Sequence, residues 1–231
     1  MAHAPDTWLD GERLTVVVGH MGSGKTEFSV NLALAMADLG LPSTLADLDV
    51  VNPYFRSRER RDLLAQRGVT LIATSQACVD ADVPVMPPEL GGLIQDRSRW
   101  GVLDIGGGSA GARVLARYRP QLSLEQPRVL LVLNANRPQT RDLPGALEEL
   151  NRIQATMGLT VTGIVNNTHL CGETTVDDVL RGAALADKVS DATGLPVVCH
   201  AAPPHLFPPE GIPSAPRFPL DLYMKKPWEF I

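Results

Sequence analysis

The residues best suited to chemistry in this chain form a glycine-rich stretch that reads Gly-His-Met-Gly-Ser-Gly-Lys-Thr over residues 19–26. It matches the pattern G-x-x-x-x-G-K-[ST], and it lies after an apolar run and before a helical one, as that pattern requires. Its glycines let backbone N–H groups point at phosphate oxygens, and the following helix adds its positive end. Lys25 is expected to contact the β and γ phosphates and Thr26 to offer its hydroxyl to Mg²⁺. The stretch therefore predicts a site for a nucleoside triphosphate with Mg²⁺.

Lysine is scarce in this chain, which sharpens the interpretation of Lys25. The sequence has 21 basic residues, and Lys25 is the only lysine before Lys188. Arginine supplies the positive charge almost everywhere else. A slim ammonium on a flexible stem fits a tight phosphate-binding loop, and a planar guanidinium does not replace it.

Carboxylates close two further apolar runs. Asp47 and Asp49 end the run STLADLD, and Asp104 stands in VLDIGGG, which has the form hhhDxxG with Gly107 last. Ligands bind beyond the carboxyl ends of strands in open α/β sheets, and Mg²⁺ prefers oxygen ligands. Asp47 and Asp104 are therefore expected at the metal, partly through water, Asp49 at the attacking water, and the Gly107 N–H at the γ-phosphate. The alternative for each aspartate is a helix cap or turn.

Apolar runs of strand length alternate with helical patterns along the chain. The strands are apolar throughout, which predicts a parallel sheet covered on both faces, a three-layer α/β/α fold of the P-loop NTPase type with about seven strands. Strands are expected at 14–20, 43–49, 69–74, 100–106, 128–136, 160–167 and 195–201, and helices at 25–40, 57–68, 88–99, 143–158 and 175–194; the segment 110–122 is expected to start as a helix.

Residues 1–204 are expected to form the nucleotide-binding domain, and residues 205–231 a proline-rich extension packed on it. The prolines predict irregular structure over the surface. Two lysines beside Trp228 and Phe230 suggest a membrane anchor as an alternative. Pro227, which interrupts any helix, and the short length of the segment argue against it.

Composition narrows the class of protein. The net charge of −5 argues against specific nucleic-acid binding. No run is apolar for long enough to cross a membrane, and the first residues do not resemble a signal peptide. Three cysteines without motif spacing fit a reducing compartment, so a cytoplasmic location is expected.

The motifs together resemble the ParA/MinD/CobQ-type P-loop ATPases of the SIMIBI class, over residues 15–204. GHMGSGKTEF, DLDVVNPYFRSRE and NNTHL also resemble an uncharacterised bacterial ATP-binding branch of that group. The resemblance implies ATP and Mg²⁺ as cofactors and a slow ATPase that acts as a switch for a protein partner, as a monomer or homodimer. ParA and MinD proteins carry a second lysine early in the loop, where this chain has His20. Arg56 or Arg58 could supply the missing charge.

Loops after the last strands are expected to hold the base. Asn167 in GIVNN matches the base-contacting asparagine of the similar proteins, with Asn166 as the alternative, and Pro203 or Pro204 would close over the base. The guanine motif N-K-x-D is absent, and an amide suits adenine, so ATP is expected rather than GTP. The residues expected to contact nucleotide are Gly19, Met21, Gly22, Ser23, Gly24, Lys25, Thr26, Glu27, Gly107, Asn167 and Pro203; Lys25, Asp49 and Asp104 are expected to be catalytic.

Two alternatives to an ATP-hydrolysing switch stay open. One is a phosphotransferase or ligase acting on a small metabolite, for which residues 77–88 would line the pocket. The other is a GTP-dependent metallochaperone. A soft-metal site could form from residues of the last loops, although their spacing matches no standard zinc motif and polar lining of the pocket is the alternative. These residues are His169, Cys171, Cys199, His200 and His205.

Overall fold

An eight-stranded sheet lies at the centre of the fold, in a computed structural model that describes residues 12–49, 60–73 and 87–224. Its strands are β1 (Leu14–Val18), β2 (Ser43–Leu48), β3 (Thr70–Ala73), β4 (Trp100–Ile105), β5 (Arg128–Leu133), β6 (Gly163–Asn166), β7 (Val197–Ala202) and β8 (Arg217–Pro219). Their order is β3-β2-β4-β1-β5-β6-β7-β8, and each neighbouring pair within the described ranges is parallel.

Helices cover both faces of the sheet. They are α1 (Lys25–Asp38), α2 (Arg61–Gln66), α3 (Pro88–Gln95), α4 (Gly108–Leu115), α5 (Arg119–Glu125), α6 (Leu143–Met157) and α7 (Val176–Thr193). The strands are apolar throughout because successive side chains point to opposite buried faces: in β1, Val16 joins one core cluster and Val17 the other. The three-layer α/β/α fold with a mostly parallel sheet is confirmed.

Strand β1 positions the glycine-rich loop. It lies between β4 and β5, and the chain leaves its carboxyl end into residues 19–24 before α1 begins. The crossover direction reverses on either side of β1, so a crevice opens beyond the strand end, as at the switch point of other open α/β sheets. The two carboxylate-bearing strands, β4 and β2, follow next in the sheet.

The expectation of irregular structure in the proline-rich tail is wrong for β8, which pairs with β7 and adds the eighth strand. His200 N–H donates to the Pro216 carbonyl and Leu220 N–H to the Ala202 carbonyl. Strand β8 is the edge of the sheet, where Pro219 needs no outward N–H donor.

The segment 110–122, which is expected to start as a helix, contains parts of two helices. The first begins earlier, at Gly108, and a 3₁₀ turn at Ala116–Tyr118 separates α4 from α5. Pro120 stands in the first turn of α5, the position where a helix tolerates proline, rather than in a helix interior. None of the helices within the described ranges is both long and apolar enough to span a bilayer.

Candidate functional site

The loop of residues 19–26, called here the phosphate loop, curls around the start of α1. Gly22 and Gly24 have φ of +74° and +82°. A Cβ on Gly24 would lie 2.2 Å from Asn167 Nδ2, so the loop needs glycine there for space as well as for backbone conformation. Lys25 is buried, and its Nζ donates to the His20 carbonyl at 3.0 Å, which closes the loop on itself.

Lys25 faces negative charge. Burial lowers the pKa of its ammonium, and the carboxylates of Asp104, Asp49 and Glu149 oppose that change. A cation held in a buried loop near backbone N–H groups is the electrostatic arrangement that binds phosphate oxygens.

Asp104 and Asp47 lie side by side at the ends of β4 and β2, as register partners. Both are buried, and Asp104 Oδ1 accepts a hydrogen bond from Ser29 Oγ at 3.2 Å. Burial and the neighbouring Asp47 raise the pKa of Asp104 to about 7, against the effects of Lys25 and Thr26. The Asp49 N–H donates to Asp47 Oδ1 at 3.3 Å, so the strand end turns back on its own carboxylate.

A magnesium ion fits this end of the sheet by two observations. Asp104 Oδ2 is buried and has no hydrogen-bond partner among the described residues. The raised pKa of Asp104 also signals a carboxylate that a neighbouring cation would stabilise. The nearby donors are hard oxygens, which Mg²⁺ prefers. No cluster of three His, Cys, Asp or Glu side chains suited to a metal occurs within residues 12–49, 60–73 and 87–224, so the ion would need Thr26, phosphate and water as ligands in addition to Asp104.

The turn of residues 106–108 touches the phosphate loop. Gly108 N–H donates to the Gly19 carbonyl at 3.0 Å, and a Cβ on Gly107 would lie 2.8 Å from Met21 Cα. The contact explains why the turn is glycine-rich: any side chain at Gly107 would push it away from the loop. Met21 itself is exposed at the mouth of the cavity.

His20 turns towards helix α6. Its Nδ1 lies 3.4 Å from Glu149 Oε1, and Glu149 is fully buried with neither oxygen hydrogen-bonded among the described residues. Arg152 contacts the other oxygen at 3.4 Å. Sequence reasoning missed Glu149, since one glutamate within an amphipathic helical pattern gives no signal of its own.

Side chains that follow β5 and β6 donate hydrogen bonds to backbone carbonyls of the phosphate loop. Asn134 Nδ2 donates to the Gly22 carbonyl at 3.3 Å, and Arg137 Nε donates to the same oxygen at 2.8 Å. Asn167 Nδ2 donates to the carbonyls of Ser23 and Gly24 at 3.0 and 3.3 Å. Neither Asn134 nor Arg137 was expected at the site, although both follow β5, the neighbour of β1.

The structure separates the two asparagines proposed for the base. Asn166 is buried among internal partners: its Nδ2 donates to the Val179 carbonyl at 3.1 Å and lies 3.3 Å from His200 Nδ1. Asn167 lines the cavity of about 670 Å³ that also holds Lys25, and so does Pro203. A base contact at Asn167 and Pro203 stays a prediction.

The histidines and cysteines of the last loops do not converge on one point. Cys199 lies inside the core, where burial raises the pKa of its thiol. His200 Nε2 contacts Ser214 Oγ at 3.0 Å. Only His169 and Cys171 are close, with Nδ1 and Sγ 3.9 Å apart, and burial lowers the pKa of His169 to about 4. Within the described parts of the chain, the soft-metal interpretation is therefore not supported.

Glu27 has a partner that the sequence did not suggest. Its carboxylate accepts the N–H groups of Tyr223 at 2.6 Å and Met224 at 3.1 Å, which fastens residues 220–224 to the first turn of α1. Burial raises the pKa of Glu27, and these two hydrogen bonds oppose the rise. Glu27 also lines the cavity, so its expected nucleotide contact stays a prediction.

Replacing Glu27 with glutamine should loosen this attachment, because a neutral amide accepts more weakly than a carboxylate. We expect the amide protons of Tyr223 and Met224 to exchange with solvent about tenfold faster. Hydrogen–deuterium exchange checks this, with Glu89→Gln as control, since Glu89 is an exposed glutamate in the first turn of α3. Unchanged protection of residues 220–224 would contradict the assignment.

Several expected residues lie outside the described ranges. Arg56 and Arg58, proposed to supply charge to the nucleotide, are among them, as are Lys225, Lys226 and most of the segment 77–88 proposed for a metabolite pocket.

Comparison with known proteins places the fold. No protein-family model and no curated protein matches the chain. Among solved structures, it is similar to the cell division protein FtsY from Thermotoga maritima, with TM-score 0.55 and 19% identity over 80% of this chain and 59% of that one. FtsY from Mycoplasma mycoides has TM-score 0.52 and 17% identity over 80% and 57%. The signal recognition particle receptor FtsY from Elizabethkingia anophelis, in complex with GDP, has TM-score 0.51 and 20% identity over 80% and 55%.

The chain spans less than two thirds of the length of each of these proteins. At such identities the likeness shows the fold alone. It does not single out the ParA/MinD/CobQ-type ATPases.

Proposed function

We propose that this protein binds Mg²⁺ and ATP in the phosphate loop and hydrolyses ATP slowly, as a nucleotide-dependent switch for a protein partner. One observation carries the proposal: a buried lysine in a glycine loop faces a buried aspartate whose second oxygen has no hydrogen-bond partner among the described residues. The cationic group suits the phosphates and the carboxylate suits their counter-ion.

Each residue has a task in this scheme. Lys25 leaves the His20 carbonyl and donates to the β and γ phosphate oxygens. Thr26 and Asp104, with Asp47 beside it, would hold Mg²⁺, and the ion would supply positive charge that neutralises the phosphates. Asp49 orients the attacking water.

The turn of residues 106–108 senses the terminal phosphate. Gly107 can turn its N–H towards that phosphate, and the turn already touches the loop through Gly108. Movement of this turn would couple nucleotide state to a partner surface, as in other nucleotide switches.

ATP is favoured because residues 166–169 read Asn-Asn-Thr-His, which offers amides and lacks the aspartate with which the guanine motif N-K-x-D pairs the guanine N1 and N2 donors. Against this stands the GDP found with one structurally similar FtsY. Binding of Mg²⁺ with ATP and with GTP, measured by calorimetry, decides between the bases. We expect ATP to bind at least about tenfold more tightly; tighter GTP binding would favour the metallochaperone alternative and refute the base assignment.

Hydrolysis without any added acceptor tests the switch against the phosphotransferase alternative. The proposal expects slow, steady phosphate release from Mg²⁺-ATP by the purified chain. Turnover that begins only when a small-molecule acceptor is added would favour a phosphotransferase or ligase instead. The nature of the protein partner, and whether the chain acts as a monomer or homodimer, would then be addressed by size measurements with and without nucleotide.

A further inference from the structure

The cavity around Lys25 is lined by both polar and apolar groups. The polar groups belong to the phosphate loop and Asp49, and the Gly107 turn lies beside them. The apolar lining includes Leu220, Leu222 and Met224, which follow β8. A nucleotide combines the same two characters, with charged phosphates at one end and a flat, weakly polar base at the other.

Leu222 stands out within this wall. It is 58% exposed although it lines a cavity, whereas the neighbouring Leu220 is buried in the core. Ligand pockets are lined mainly by apolar side chains, so an apolar side chain that lines a cavity and is still exposed is available for contact with a ligand. Leu63 from α2 and Ala202 from the end of β7 also contribute to the apolar lining.

Residues 220–224 are firmly held in this position. Asn31 of α1 and Asp221 exchange two hydrogen bonds, each 2.9 Å long, in the manner of paired strands. Glu27 accepts the N–H groups of Tyr223 and Met224, and Arg60 Nε donates to the Tyr223 carbonyl at 2.5 Å. The backbone on both sides of Leu222 is therefore tied to α1 or to the residue before α2.

We propose that residues 220–224 form the wall that holds the nucleoside half of the nucleotide, with Leu222 and Met224 packing against the base or ribose. The proposal rests on the proposed function and deepens it. Glu27 follows Thr26 directly, so the residue that anchors this wall is adjacent to the residue expected at the metal. Residues 220–224 would bind the nucleoside, and the phosphate loop would bind the phosphates.

The wall can be tested with two ligands that share their phosphates. Tripolyphosphate with Mg²⁺ carries the phosphates of ATP and lacks the nucleoside. In the variant Leu222→Ala/Met224→Ala we expect ATP to bind about tenfold more weakly, because apolar contact is lost, and tripolyphosphate to bind as in the unaltered chain. Calorimetry at one salt concentration measures both.

Each outcome decides the inference. Equal weakening of both ligands, or unchanged ATP binding, overturns it. Failure of the unaltered protein to bind either ligand would instead refute the proposed function. Leu124→Ala is the matched control, since Leu124 is 80% exposed on α5, away from the cavity. Glu27→Gln, which loosens the wall without removing its side chains, should shift binding in the same direction, and thermal unfolding verifies that each variant is folded.

Discussion

Replacing Lys25 with alanine is expected to lower ATP affinity and hydrolysis by about 100-fold or more. The ammonium is buried and faces Asp104, Asp49 and Glu149, so its loss removes the phosphate contact and leaves three carboxylates without their shared cation. Phosphates would then approach a site of negative charge. Binding of a fluorescent ATP analogue and phosphate release measure the two losses.

Lys25→Arg should not restore function. Arginine keeps the positive charge. The side chains of Asn134 and Asn167 hold the loop in place by donating to its carbonyls, and a planar guanidinium needs more width in that loop than an ammonium does. Lys188→Ala is the control, because Lys188 is exposed on α7 and is the other lysine within the described ranges. Full ATP binding by Lys25→Ala would contradict the assignment of the loop.

Replacing Asp104 with asparagine is expected to reduce Mg²⁺-dependent hydrolysis by about 100-fold and to stabilise the nucleotide-free fold at alkaline pH. The pKa of Asp104 rises from 3.8 in the unfolded chain to about 7 in the folded one. A raised carboxyl pKa favours folding only while the group is protonated, so this contribution is present below pH 4 and is lost as pH rises through 7.

Asparagine removes that dependence. A difference of this size corresponds to roughly 4 kcal/mol. We expect a net gain of only about 2 kcal/mol at pH 8, because Lys25 loses a neighbouring negative charge and this loss offsets part of the gain. At pH 4 the gain should be close to zero. Urea unfolding without Mg²⁺ at both pH values measures it, and Asp191→Asn, an exposed position on α7, should change neither value by more than about 0.5 kcal/mol. A destabilised Asp104→Asn protein at pH 8 would contradict the account.

The sequence predicts those parts of the fold and site whose signal is local. Parallel strands buried on both faces form continuous apolar runs, and the glycine loop carries its spacing within eight residues. Helix α7 is marked by a capping box in which Thr175 and Asp178 bond each other's backbone N–H groups. Elements of this kind were placed within a few residues.

Features that depend on distant parts of the chain were not predictable in this way. Strand β8 forms by pairing with the free edge of β7, whereas the prolines around it favour irregular structure. Glu149 reaches the phosphate loop from the middle of α6, and Glu27 binds N–H groups almost 200 residues away. The contacts of Glu149 and Glu27 result from tertiary packing, which a single sequence does not reveal.

The break between α4 and α5 is an intermediate case. The sequence predicts a helical start for the segment 110–122, and the rule that proline fits the first turn of a helix indicates that a second helix begins near Pro120. The signal for the break is therefore present in the residues themselves.

The most direct test of the central claim is a crystal structure of the protein grown with Mg²⁺ and a non-hydrolysable ATP analogue. We predict the β and γ phosphates inside the loop of residues 19–26, with Lys25 Nζ moved from the His20 carbonyl to phosphate oxygens. Mg²⁺ should lie between Thr26 and Asp104, and the base between Asn167 and Leu222. An analogue bound elsewhere on the protein, or a phosphate loop that stays empty at millimolar analogue, would contradict the account.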